Sequence, residues 1–308
     1  MPMREAGSHQ DRAPACPGPD PRPHGPTRYR VPPGAVDTHA HVIGLPPAYP
    51  FVDSRSYTPP EATAERYLAM LDATGMSYGV LVQVSVHGTD NRLTVETLRA
   101  HRDRLRGIAV IPLGLRDREL AELKEAGIVG LRLNILYGGG IGFEQLDAYA
   151  ALAREMGWHL QFLIDARDLV PLAPKLGTLP VPFVVDHWGH FPVSRGLDDP
   201  GFQTLLALLR DGGWVKLSGA YRNSVEGPPY ADTIPFARLL HEAAPERCVW
   251  GSDWPHVAHW QAMMNVGELL DLLAEWVPDE AARKRVFVDN AHRLYGFEGV
   301  VPAGSAGG

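Results

Sequence analysis

Val36-Asp37-Thr38-His39-Ala40-His41 is an apolar run that ends in two histidines two residues apart. In a strand, residues i and i+2 face the same way. The two imidazoles therefore project side by side from a strand's end. Such a pair can grip a metal ion, or bind and polarise an oxygen of a substrate. Two surface histidines beside a loop would read the same way, so the pattern around them decides.

Outward from this strand the chain alternates. Pro59–Thr74 carries Tyr67, Leu68, Met70 and Leu71 at helical spacing and stops at Gly75. The segment 79–85 is a second strand, nearly continuous in branched apolar residues, as a strand covered on both faces reads. The same pairing recurs. Strands are expected at 105–112, 128–134, 158–164, 181–186, 214–218 and 247–253. Helices are expected at 91–102, 117–126, 143–156, 169–176, 200–210, 233–243, 266–276 and 279–294. Eight strands, each followed by a helix, predict a single (β/α)8 TIM barrel, an α/β fold. A doubly wound open sheet is the runner-up. It usually shows a glycine-rich phosphate loop after its first strand, and none stands here.

The chain has 308 residues, against about 250 for such a barrel, and its 45% apolar content suffices for a large core. A net charge of −7 argues against a nucleic-acid partner. The two cysteines, Cys16 and Cys248, have no CxxC neighbour, so neither a disulfide framework nor a cysteine zinc site is expected. No apolar run reaches transmembrane length, and the start has no hydrophobic signal core. A cytoplasmic protein with no membrane partner is expected, as monomer or homo-oligomer. Residues 1–33 hold many prolines and few apolar anchors and read as a flexible leader. The barrel is placed at 34–298, and 299–308 reads as a flexible tail.

Catalytic groups of such a barrel lie at the C-terminal ends of its strands. The first strand delivers His39 and His41. The second delivers Ser85 and then His87 to Asn91. The fourth delivers Arg132 and Asn134, the sixth Asp186 and His187. The seventh delivers Lys216 and Ser218, with Tyr221 and Arg222 beyond. The eighth delivers Ser252 and Asp253, then Trp254 to His256. Three imidazoles and a carboxylate can converge near the axis. Such a set can hold a divalent metal with an activated water, or polarise a carbonyl without metal while Asp253 acts as base. Asp186 should alternate to the opposite face from His187, which gives it a structural reading. His87 either contacts substrate or orders its loop with Asp90 and Asn91. His190 has no strand-end placement and is set aside.

These residues resemble the amidohydrolase superfamily, whose barrels open with a His-x-His strand and close with an aspartate on the last strand. More narrowly, they are similar to the amidohydrolase-2 family and its 2-pyrone-4,6-dicarboxylate lactonase branch. The segments that carry the likeness are Asp37–His41, Tyr57-Thr58-Pro59, His87–Arg92, Gly130–Asn134, Gly157-Trp158-His159, Val185–Gly189, Trp250–His256, Asp289-Asn290 and Arg293-Leu294-Tyr295. They span about residues 35–296. The resemblance implies a hydrolase that opens a small carboxylated lactone. Asp253 would deprotonate water, and His39, His41 and His187 would hold the carbonyl. Arg132, Arg222, Ser85, Thr58, His87 and His256 would contact the substrate. Metal use stays open: pyrone lactonases work without one, while relatives bind one zinc, which His39, His41, His187 and Asp253 would hold here. The lactonases also carry an arginine where this chain has Gly138, and a tyrosine where it has Leu163. These two departures imply a substrate other than the pyrone dicarboxylate, such as a muconolactone or an aldonolactone. A metal-dependent decarboxylase of an aromatic or unsaturated acid is the alternative on the same barrel. A non-enzymatic binder of small anions is a third reading.

Overall fold

The computed structural model describes residues 13–297. The expected tail, 299–308, lies outside them. Eight parallel strands follow in sequence order: β1 (Val36–Ala40), β2 (Tyr78–Val82), β3 (Leu105–Ala109), β4 (Ile128–Asn134), β5 (His159–Leu163), β6 (Phe183–Val185), β7 (Trp214–Leu217) and β8 (Cys248–Trp250). Each is hydrogen-bonded to the next. Helices run between them, so the sheet curls into the expected barrel. Among the described residues no helix is long and apolar enough to cross a membrane.

Local chemistry explains where the helices begin and end. Thr63 caps Ala64–Thr74, and its side chain accepts from the Arg66 amide. The expected helix began at Pro59, but Ala62 is engaged in a bridge with Ile43 and cannot join it. Asp165 caps Ala166–Leu176 in the same way, so that helix starts three residues earlier than its apolar pattern indicated. Gly157 ends Leu146–Met156 in the left-handed conformation, with φ of 69°, which glycine adopts without a side-chain clash. The last helix is expected unbroken. It runs as Glu280–Lys284, a π turn at Arg285–Asp289, and Asn290–Tyr295.

The seam between β8 and β1 closes the barrel and builds the site. Ladder bonding there is brief: Asp253 N–H donates to His39 O and His41 N–H to Trp254 O, each at 2.8 Å. Side chains do the rest. The Asp37 carboxylate accepts from Ser252 N–H at 2.7 Å and from Ser252 Oγ at 2.6 Å. Tyr67 OH also donates to it, at 3.1 Å. Thr38 Oγ1 donates to Trp250 O at 2.8 Å. Gly251 lets the chains touch, because a Cβ there would lie 2.7 Å from the His39 Cβ. Burial pushes the Asp37 carboxyl up to about 6, and its donors oppose that rise.

One expectation is corrected. Residues 13–33 form a strap against the barrel, not a loose leader. Ala15 bridges to Thr58, and Trp260 Nε1 donates to Ala15 O at 2.8 Å. Asn265 Nδ2 donates to Asp20 and to Arg22 O, and Asp271 accepts from the Thr27 and Arg28 amides. Tyr29 OH reaches Leu270 O at 2.9 Å, with Arg283 stacked over its ring. The prolines do forbid a helix. They also lower the entropy lost when the chain is held extended.

The seam can be tested by equilibrium unfolding. Ser252→Ala removes one donor from a buried carboxylate, and we expect it to cost about 1–3 kcal/mol in urea denaturation. Wild-type stability in that variant would contradict the role of the clasp.

Candidate active site

At the mouth of the barrel, Asp253 Oδ1 lies 3.8 Å from His39 Nε2, 3.7 Å from His41 Nε2 and 3.6 Å from His187 Nε2. All four side chains are buried. β1 brings the two histidines, whose rings meet edge to face at 5.0 Å. Asp253 and His187 arrive differently. Both take left-handed backbone conformations, with φ of 61° and 48°. Such angles are uncommon for residues with a Cβ and turn a side chain from the face its neighbours dictate.

Each member is held from behind. His41 gives its Nδ1 hydrogen to Val82 O at 2.7 Å, so in the neutral ring Nε2 carries the lone pair. His187 Nδ1 pairs with Ser218 Oγ at 2.8 Å. Asp253 Oδ2 accepts from Tyr221 OH at 2.5 Å and from Arg222 Nε at 2.7 Å. Oδ1 of Asp253 and Nε2 of His39 are buried without a hydrogen-bond partner. Burial alone would raise the Asp253 carboxyl. The Arg222 cation first, then the neighbouring histidines, hold it well below the usual carboxylate range. Burial brings His39 down to about 3, reinforced by the Lys216 cation, and drives His187 well down too. The centre is therefore one ionised carboxylate with at least two neutral imidazoles.

A second charged layer lies beneath. Lys216 is fully buried and donates to Thr38 O and Gln161 Oε1, each at 2.8 Å. Its Nζ stands 3.1 Å from His39 Nδ1 and 3.4 Å from Asp186 Oδ1. Asp186 Oδ1 is also 3.4 Å from His39 Nδ1. Its other oxygen accepts from Arg132 Nε at 3.2 Å and Gln161 Nε2 at 2.9 Å. This corrects the expected outward placement of Asp186. Alternation fails because the backbone leaves the strand at His187, and both side chains end inside. Burial lowers Lys216 to about 8, with Asp186 opposing. Burial would raise Asp186, but Lys216, His39 and Arg132 hold it well below its ordinary value.

The other expected contacts divide. His256 is buried near the centre, its Nδ1 3.3 Å from Tyr221 OH. Ser85 Oγ accepts from Asn134 Nδ2 at 3.1 Å, under the loop that follows β4. Arg132 is committed to Asp186. Arg222 is committed to Asp253 and to Val257 O, with its remaining Nη1 3.3 Å from Tyr137 OH. Thr58 and His87 have structural partners. Thr58 gives its hydroxyl to Ala13 O and its amide to Pro14 O, holding the strap. His87 pairs Nδ1 with Pro50 O at 3.2 Å and accepts at Nε2 from Gly44 N–H at 3.3 Å, so it braces the loop after β1. Lys216 and Tyr221 stand on the seventh-strand inventory, yet nothing in their local pattern shows whom they touch.

The donor atoms suit a divalent cation. His39, His187 and Asp253 each offer one ligand atom, and these lie within 4.8 Å of one another; Asp253 Oδ1 and His39 Nε2 have no hydrogen-bond partner. Imidazole nitrogens and a carboxylate oxygen are the donors that such a cation takes. The Asp186 carboxylate behind His39 resembles the outer support that metal-binding histidines use.

The buried layer makes a prediction of its own. Removing one partner strands the other charge in the core. Lys216→Met and Asp186→Asn should each cost about 3–5 kcal/mol. The double variant should cost less than the sum, as unfolding free energies would reveal. Strict additivity would refute the coupling.

The amidohydrolase family model matches residues 36–297. The 4-sulfomuconolactone hydrolase of Hydrogenophaga intermedia is 36% identical over 92% of this chain and 95% of its own length. The 2-pyrone-4,6-dicarboxylate hydrolase of Comamonas testosteroni is 35% identical over 87% and 92%. A solved structure, that of a probable 2-pyrone-4,6-dicarboxylic acid hydrolase from Acinetobacter baumannii with citric acid bound, superposes with a TM-score of 0.76. It is 30% identical and covers 86% of this chain and 100% of its own. With its His-x-His strand, its closing aspartate and these relatives, the chain belongs to the amidohydrolase family.

Proposed function

We propose that this protein is a lactone hydrolase and that Asp253, His39, His41 and His187 are the groups that open the ring. The observation that carries this is the asymmetry of Asp253. One carboxylate oxygen is pinned by Tyr221 and Arg222, and the other is bare and faces three imidazole nitrogens.

The chemistry follows from that asymmetry. The bare Oδ1 takes a proton from water as the water oxygen bonds to the lactone carbonyl carbon. Arg222 keeps the carboxylate ionised at neutral pH, and the two donors on Oδ2 fix its direction, so little reorganisation is needed as charge moves. The His41 Nε2 lone pair can accept the second hydrogen of that water and orient it. The His39 and His187 rings face the same point and meet the oxyanion of the tetrahedral intermediate through Nε2–H. Asp253 returns its proton to the ring oxygen as the carbon–oxygen bond breaks, which leaves a hydroxy acid or its keto tautomer. A divalent ion, if bound, would be held by the lone pairs of His39, His187 and Asp253 in place of the two N–H donors, and would itself supply Lewis-acid polarisation of the carbonyl and a more acidic water.

The substrate class follows from charge and from the relatives. The two relatives named above are hydrolases of small anionic lactones, a sulfomuconolactone and a pyrone dicarboxylate. Here Arg132 and Arg222 supply positive charge beside the centre. Position 138 cannot carry an arginine in this conformation, because even a Cβ would lie 1.8 Å from Ser54 O. Leu163 is buried and apolar. A lactone other than the pyrone dicarboxylate, of the muconolactone or aldonolactone kind, fits these two positions.

A panel of carboxylated lactones, assayed with and without added zinc and chelator, tests the reading. Ring opening with gain of water is expected. Release of CO2 would favour decarboxylation. Asp253→Asn should lower kcat about 10²–10⁴-fold while the circular dichroism and melting curve stay near wild type. Full activity in that variant would remove Asp253 as the base.

A further inference from the structure

The atoms that would open the ring are closed off. Asp253 Oδ1 and His39 Nε2 are buried, and no side chain of the central four exposes more than 3% of its surface. A lactone cannot touch them until part of the mouth moves aside. The moving part must also return, because bulk water weakens every interaction on which the chemistry relies. Two segments cross the mouth. One is the strap, which is knitted down: Thr58 gives its hydroxyl to Ala13 O and its amide to Pro14 O, Cys16 N–H donates to Thr58 O, and Trp260 Nε1 donates to Ala15 O. The other is the loop after β4, residues 135–142.

That loop is tied mainly to its own root. Asn134 Oδ1 accepts from the Leu136 and Tyr137 amides, Asn134 Nδ2 donates to Tyr137 O, and Asn134 N–H donates to Ile141 O. It is therefore built to move as one piece about Asn134. Two hydrogen bonds carry it across the mouth: Gly138 N–H donates to Ser56 Oγ at 3.0 Å, and Tyr137 OH accepts from Arg222 Nη1 at 3.3 Å. The Tyr137 ring sits between Tyr57 at 5.7 Å and His190 at 6.2 Å. Close backbone approach completes the seal, since a Cβ at Gly139 would lie 2.2 Å from Ser85 O. Glycine permits that approach, and it also lets the chain lift through a wide range of backbone angles.

We propose that loop 135–142 is the gate of this site, and that Tyr137 is a positioning residue whose phenol, on closure, meets the guanidinium that pins Asp253. The proposal rests on reading Asp253 as the base of a lactone-opening centre. Arg222 Nε donates to Asp253 Oδ2 at 2.7 Å, and its Nη2 donates to Val257 O at 2.9 Å. The phenol oxygen takes the remaining Nη1 edge. With the loop lifted, that edge is released and the guanidinium can tilt about its other two bonds. With the loop down, acceptors from three separate segments fix its plane, and so the direction in which Asp253 Oδ1 points. Closing the mouth and aligning the base thus become one event. Two hydrogen bonds make a weak tie, compatible with an open state of about 0.1–10% through which substrate enters.

Two measurements on the full chain need no turnover. In hydrogen exchange the Leu136, Tyr137 and Gly138 amides should exchange well before those of Cys16 and Thr58, which hold the strap. Tyr137→Phe, which keeps the ring and removes the oxygen facing Arg222, should speed exchange in the loop about three- to tenfold. Diethylpyrocarbonate acylates neutral imidazoles, and His41 offers it the Nε2 lone pair. It should modify His41 slowly in wild type and about tenfold or more faster in Gly139→Ala, whose Cβ props the loop off Ser85, with the melting curve near wild type. Strap amides that exchange first, loop exchange unmoved by Tyr137→Phe, or equal acylation rates would each overturn the gate. Kinetics test the positioning role. On the best lactone of the panel, Tyr137→Phe should lower kcat about three- to tenfold and leave KM nearly unchanged. A raised KM with kcat intact would make Tyr137 a mere wall of the pocket and overturn that role. If no lactone is opened while exchange and acylation behave as expected, the gate stands and the lactone reading falls.

Discussion

The Asp37 carboxylate, buried where the last strand returns to the first, is the constraint on which the rest of the site depends. It takes two hydrogen bonds from Ser252 and one from Tyr67. It thereby fixes residue 252 against residue 37, and so residue 253 against 39 and 41. The seam has little ladder of its own, so these side-chain bonds set the register. A barrel with a loose seam would keep its apolar core and lose the spacing between Asp253 and the His39–His41 pair. Gly251 belongs to the same constraint, since any side chain there would push His39 away.

Above and below that seam the protein accumulates buried charge. Asp253 faces Arg222, and Asp186 faces Arg132 and Lys216, all within a few ångströms of neutral imidazoles. Buried ion pairs contribute little to net stability, because desolvation offsets their attraction. Their value here is positional. Each carboxylate keeps one oxygen fixed by donors and presents the other: Asp253 toward the mouth, Asp186 toward the back of His39. The low dielectric that makes these charges costly also strengthens every interaction with a developing oxyanion.

Legibility in the sequence followed the regularity of the backbone. The barrel could be read because its strands are nearly continuous apolar runs and its helices carry caps and glycine stops. His39 and His41 could be placed together because β1 is regular and period two holds. Asp253 stood out as a carboxylate ending an apolar run. Asp186 was misplaced because the left-handed turn at His187 breaks the alternation that the rule assumes. The partners of Thr58 and His87, Ala13 and Gly44, lie more than forty residues away, so a local pattern does not show them. The strap was missed for a related reason. Prolines state that a segment is not helical; they do not state what it lies against. His190 was set aside for lack of a strand end, yet the turn after β6 carries it to the mouth.

The central claim is that water, activated at Asp253, becomes part of an opened lactone. The most direct measurement is turnover of a carboxylated lactone in oxygen-18-enriched water, with mass spectrometry of the product. With a lactone whose opening leaves an alcohol, the account predicts one labelled oxygen in the newly formed carboxylate and none in the hydroxyl left by the ring oxygen. An unlabelled isomer of the substrate, or a product that has lost CO2, would contradict it.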